Sequence, residues 1–426
     1  MRLTKFFLPV LLFILPLFNS NAQNINGRLS SSIYAFERAA SLDSSDMILR
    51  GYETLVLNVN EGNYSLRTRL NFETNFGDEL KNDPRFRLYN FYFEARKILD
   101  IATLKVGRQP VFTQVAGGLF DGANLKVNIY NFTVQGYFGG NVPAYQDFDV
   151  TDNWNNNRIY GGKIKFNGIE DLRLGLSYVD KNYTPNDYYA QRLDINLNPI
   201  TVLIQEKSNQ FKYGSFTASY LGFLDLNARV NYDFNFRELS KIEFSGRYDD
   251  VENLGINLYY NYRAPQIRYN SIFAVFNYGN TQEIEGGLDY KINNDFTVYG
   301  KFGNVEYEDE NSQRLTLGLN TSYGSLNFRN TFGYAGELTS ISLHTSKTLY
   351  KGLITPSVGL AYTNYKLSEG EEANDIISAL AGVNVRPWRT LSFDLQGQFS
   401  DNKIYKNDLR LFFKINYWFN TNLDLL

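Results

Sequence analysis

The chain contains no cysteine in 426 residues. Disulfides, thiolate metal sites, iron–sulfur clusters and a lipid-modified N-terminal cysteine are therefore excluded. A single histidine, His344, rules out histidine-rich zinc sites. Proline is scarce, at 10 residues, and no Pro/Ser-rich linker divides the chain into domains. Neither sign of charge dominates: the formal net charge is −3, and no basic stripe suggests nucleic acid. A glycine-rich phosphate loop, a dinucleotide fingerprint and paired carboxylates at a recognisable spacing are all missing. The sequence predicts no enzyme and no cofactor.

Long apolar runs are also missing, with one exception. Arg2 and Lys5 precede an uncharged stretch from Phe6 to Phe18, followed by Asn19-Ser20-Asn21-Ala22. The run is shorter than the roughly 20 residues a membrane-spanning helix needs. With small residues before the boundary, it predicts a cleaved signal peptide over 1–22 and a mature chain from 23 to 426. Losing Arg2 and Lys5 takes the net charge to −5.

Aromatic residues are abundant instead, at 16 % of the chain, almost all Tyr and Phe. They occur in segments of strict two-residue alternation. Leu66, Leu70, Phe72 and Phe76 share one strand face, and Arg67, Arg69, Asn71, Glu73 and Asn75 share the other. Leu226–Phe234, Leu254–Tyr262 and Leu391–Phe399 repeat the pattern. Segments of about ten residues suit tilted strands that cross a bilayer. A protein that crosses without apolar helices must close its sheet, so that every backbone group finds a partner. The fold class expected is all-β: a large antiparallel transmembrane β-barrel of about 22 strands, the count resting on the usual even number.

Short connections such as Glu61-Gly62-Asn63 and Tyr323-Gly324-Ser325 alternate with longer polar ones at 77–84, 140–156, 306–312 and 367–373. Outer-membrane barrels show this asymmetry, with short periplasmic turns and long external loops. Between about 199 and 282 the alternation fails and no register can be assigned. The last strand is expected over about 405–419, with a tail at 420–426. Its face of Leu409, Leu411, Phe413, Ile415, Tyr417 and Phe419 resembles the C-terminal strand bound by bacterial barrel-assembly machinery. Outer-membrane lipid and that machinery are thus expected partners, the location is the bacterial outer membrane, and a homo-oligomer is compatible with these features.

Leu104-Lys105-Val106-Gly107-Arg108-Gln109, with Phe120-Asp121-Gly122-Ala123 after it, resembles a strand–loop–strand element of porin-like outer-membrane families, the alginate-export type among them. That resemblance implies a lumenal arginine and a following loop that narrows the pore, here Arg108 and the segment from Pro110 to Leu119. Arg67, Arg69, Arg96, Lys105 and Arg108 fall within neighbouring predicted strands, and alternation should turn several of them into the lumen, with Glu73 and Glu94 as carboxylates able to pair with them. Rows of charge bias a pore toward the opposite ion. The function expected is a porin-like channel for small hydrophilic solutes, anions included. The alternative is a non-conducting barrel with a structural, assembly or secretion role. His344 and Ser346 lie two apart and share a strand face. That spacing resembles the His-x-Ser pair of outer-membrane phospholipases. Ile341, Leu343 and Thr345 facing lipid would turn both inward, away from a lipid substrate.

Overall fold

A computed structural model describes residues 23–423 apart from 42–43, 78–82, 114, 116, 143–147, 153, 184–187, 194, 196–197, 205–208, 268–278, 309, 334–336, 368–369 and 404–405. The expected signal peptide at 1–22 and the end of the expected tail lie outside the described residues.

The first wall of strands comprises β1 (Gln23–Ser41), β2 (Ser44–Glu61), β3 (Tyr64–Asn75), β4 (Arg85–Ile98), β5 (Ala102–Phe112), β6 (Gly117–Ile129), β7 (Phe132–Asn141), β8 (Arg158–Ile169) and β9 (Leu172–Tyr183). A small hairpin, β10 (Tyr188–Leu193) and β11 (Pro199–Ile204), follows. The wall then resumes with β12 (Asn209–Leu221), β13 (Asp225–Asp233), β14 (Glu238–Val251), β15 (Leu254–Arg263), β16 (Thr281–Lys291), β17 (Phe296–Tyr307) and β18 (Glu310–Thr321). It is completed by β19 (Gly324–Gly333), β20 (Leu338–Ser346), β21 (Ile354–Tyr365), β22 (Asn374–Trp388), β23 (Leu391–Asp401) and β24 (Asp408–Leu423).

Each wall strand pairs antiparallel with its neighbours, and β24 pairs with β1 from Gln23↔Leu423 to Ala35↔Leu411. The result is a closed barrel of 22 strands, as the sequence led us to expect. Closure removes both sheet edges, and with them the unpaired backbone groups that lipid cannot satisfy. The last strand is longer than expected. Residues 420–423 continue the ladder, because Asn420 and Asn422 share an amide network with Asn24 on β1.

Only the start of the region without a readable register, at 199–204, leaves the wall. β12 pairs directly with β9, so β10 and β11 are an insertion that forms its own two-stranded sheet. The connection at 306–312 is shorter than expected. β17 and β18 extend toward each other until only two residues, 308 and 309, separate them.

Paired residues on neighbouring strands share a face, so the registers fix which side chains point out. Leu29, Val106, Leu125, Phe138, Leu317 and Leu411 lie on one surface and are each more than a third exposed in the isolated chain. A water-soluble protein would not leave this surface bare on every strand. Near the short turns the same face carries Tyr64, Phe132, Tyr290 and Tyr417. Toward the other rim it carries Phe76, Phe86, Phe234 and Phe332. These are the two aromatic belts expected at membrane interfaces. The rim of short turns is periplasmic by the same rule.

Candidate functional site: the lumen wall

The inner face holds the charged residues. On β2–β5, Glu73 receives Arg50 at 3.2 Å, Arg87 at 3.4 Å and Arg85 at 3.7 Å. Beside it, Glu94 receives Lys105 at 3.5 Å and Arg67 at 3.6 Å. Arg69 lies over the Tyr89 ring, 5.2 Å from its centroid. Five cations thus share two carboxylates on this wall, and Arg69 stands beside them as a sixth. Arg96 sits lower, where it donates to Ser65 Oγ and the Gly62 carbonyl beside the β2–β3 turn. Arg50, Arg85 and Arg87 escaped the sequence reading. Arg85 and Arg87 do alternate with Phe86 and Leu88, but they follow directly on a loop, where the start of the strand was not legible.

A second group lies across β8, β9 and β12–β14. Lys165, Arg173, Thr217, Ser219, Asn227, Arg229, Glu243 and Ser245 line a recess of about 680 Å³. Glu243 is held by Arg229 and by Lys241 at 2.9 Å. Among the described residues, Lys165 and Arg173 form no ion pair. A third group, around a recess of about 590 Å³, is better balanced. There Arg247 meets Asp289 at 2.8 Å, and Arg314 joins Glu283 and Glu285.

Above the second group the lumen wall turns apolar. Val111, Phe120, Tyr137, Ile159, Val179 and Tyr213 come from six adjacent strands and form one buried cluster, with Phe120, Ile159 and Val179 fully inaccessible. Val115, in the β5–β6 connection, packs against it. Lys181 Nζ donates to the Gly117 carbonyl at 3.1 Å and ties the end of that connection to the wall. Within the segment 110–119, Val115 therefore lies against the inner face of the wall.

Arg108 does not face the lumen, contrary to the resemblance-based expectation. The β4–β5 register runs unbroken from Phe91↔Arg108 to Ala95↔Leu104, and Glu94↔Lys105 lies within it. Lys105 and Arg108 are three residues apart and so occupy opposite faces. Arg108 shares the outer face with Val106. Its guanidinium makes a bidentate pair with Asp121, 2.8 and 2.9 Å, and is only 4 % exposed. Gly107 has φ +123°, and a Cβ there would stand 2.4 Å from the Phe91 carbonyl oxygen. Only glycine tolerates that dihedral and that approach.

His344 is on the inner face, in register with Ser325 and Gly359. Asn364 pairs with Thr339 and so lies on the outer face, five residues along β20. A third group to orient the imidazole is not supplied there.

A closed antiparallel barrel with an apolar exterior, aromatic belts and a charged interior defines a transmembrane β-barrel of the outer-membrane type. No family model and no curated protein matches the chain. Solved structures similar in fold include the P pilus usher PapC translocation pore, with TM-score 0.46, 10 % identity, and 93 % of this chain and 99 % of that one covered. The outer membrane protein OpdK from Pseudomonas aeruginosa aligns with TM-score 0.41, 12 % identity, and 94 % and 99 % coverage. Acinetobacter baumannii OccAB1 aligns with TM-score 0.43, 8 % identity, and 93 % and 96 % coverage. At such identities the likeness is one of barrel architecture alone.

Proposed function

We propose that this barrel is an outer-membrane channel for passive passage of small hydrophilic solutes, with a preference for anions. The observation that carries the reading is the cation excess on the lumen wall. Arg50, Arg67, Arg69, Arg85, Arg87 and Lys105 surround only Glu73 and Glu94. Charge of one sign inside a low-dielectric wall focuses its potential on the confined water and raises the local concentration of counter-ions. Lys165 and Arg173 extend that potential further round the wall, on β8 and β9. The reading assigns no catalytic residue. It uses β24 as the strand through which assembly machinery would insert the barrel.

Reversal potential in a salt gradient across a planar bilayer tests this. Pure refolded protein is expected to give conductance steps and a reversal potential of the anion-selective sign. Replacing Arg67 and Arg69 with Gln should move that potential toward zero. Raising the salt to 1 M should also weaken the preference, because the Debye length falls from about 10 Å at 0.1 M to about 3 Å. A protein that yields no steps would sink the channel reading, and steps without ion preference would remove its anionic part.

A further inference from the structure

We propose that Arg108 and Asp121 are positioning residues that hold the β7–β8 connection against the outside of the barrel and so keep it clear of the channel mouth. The consequence for the mouth rests on the channel reading above; the placement of the connection does not.

The β7–β8 connection runs between Asn141 and Arg158 at the rim of long loops. Its described part crosses the outer wall and touches four strands in turn. Trp154 packs edge-on against the outward-facing Phe138 of β7, with centroids 5.3 Å apart. Thr151 donates from both its backbone N–H and its hydroxyl to Asp121 Oδ2 of β6, at 2.8 and 3.0 Å. The Asp149 carbonyl accepts from Arg108 Nη2 of β5 at 2.6 Å. Phe148 meets Phe86 of β4 at 5.9 Å. All four wall residues belong to the outer face by register.

The same rim shows the opposite outcome next door. The β5–β6 connection leans inward, where Val115 finds the apolar lumenal cluster. Each connection follows the partner its wall provides. An apolar residue goes to the apolar inner patch, and backbone donors and acceptors go to a charged pair on the outside. Gly140 completes the seat. A Cβ at that position would lie 2.6 Å from Trp154 Nε1 and 2.7 Å from Thr151 Cγ2. The pair also serves its own desolvation. Each oxygen of Asp121 and three nitrogens of Arg108 find partners, so neither charge is left bare under the strap.

Tryptophan emission reads the strap directly, because the chain has only three tryptophans. With Trp388→Phe and Trp418→Phe in place, Trp154 is the sole reporter. The full protein, refolded into liposomes, is expected to show a red shift of Trp154 emission in Asp121→Ala. Gly140→Val should give the same shift; it leaves the ion pair intact but fills the seat, and a β-branched residue suits a strand. Both variants should also show transient closures of single-channel current that the parent lacks. Unchanged emission in the folded variants would overturn the proposal. A red shift with unaltered current in a conducting parent would overturn the claim that the strap keeps the mouth clear. A parent without current would count against the channel reading, while the emission would still decide where the strap lies.

Discussion

Asp121→Ala should destabilise the barrel by about 3–5 kcal/mol, the usual cost of leaving one member of a buried ion pair behind. The removed carboxylate is 8 % exposed and the guanidinium facing it 4 %. The guanidinium loses both of its bonds to Asp121, and the Thr151 N–H and hydroxyl lose their partner as well. The urea midpoint for loss of the folded, heat-modifiable form in lipid vesicles measures this. Arg108→Met combined with Asp121→Leu should recover most of the loss, since an apolar pair of similar volume removes the desolvation cost of both ions. The double variant should nonetheless release the strap, which separates stability from loop placement. If Asp121→Ala and the double variant proved equally unstable, the cost would not come from an uncompensated charge.

Phe120→Ala should cost about 3–5 kcal/mol, as expected for truncating a fully buried aromatic, and should enlarge the single-channel conductance. Phe120 is 0 % exposed and stands between Val111 and Tyr137 at the centre of the apolar cluster. Its loss leaves a cavity beneath Val115 and loosens the seat of the β5–β6 connection. Tyr137 lies 6.1 Å from the Phe120 ring and would relax only part of the way into the space. A wider lumen follows if that connection narrows the passage. A destabilised variant with unchanged conductance would show that the cluster stabilises the wall without limiting flow.

Much of this molecule was legible in its alternation. Leu66–Phe76 reads correctly because the side-chain period of a strand is two and its faces meet lipid and water. The same rule turned His344 inward and placed Arg67, Arg69 and Lys105 with Glu73 and Glu94. It also bore on Arg108: a spacing of three from Lys105 means the opposite face unless a bulge intervenes, and Gly107 is the residue type that often marks a bulge. The register shows no bulge at that point. The resemblance to a pore-narrowing element pointed to Arg108, which the register places on the outer face.

The sequence by itself pointed to a closed membrane barrel of about this size, because that depends on local alternation and on the need to satisfy every backbone group in lipid. Tertiary structure decided where the connections go. Whether a loop folds into the lumen, as the β5–β6 connection does at Val115, or lies along the outer wall, as the β7–β8 connection does over Arg108 and Asp121, depends on which partners neighbouring strands bring beneath it. Those partners stand 30 and 41 residues away in the chain, and no periodicity in the loop itself announces them.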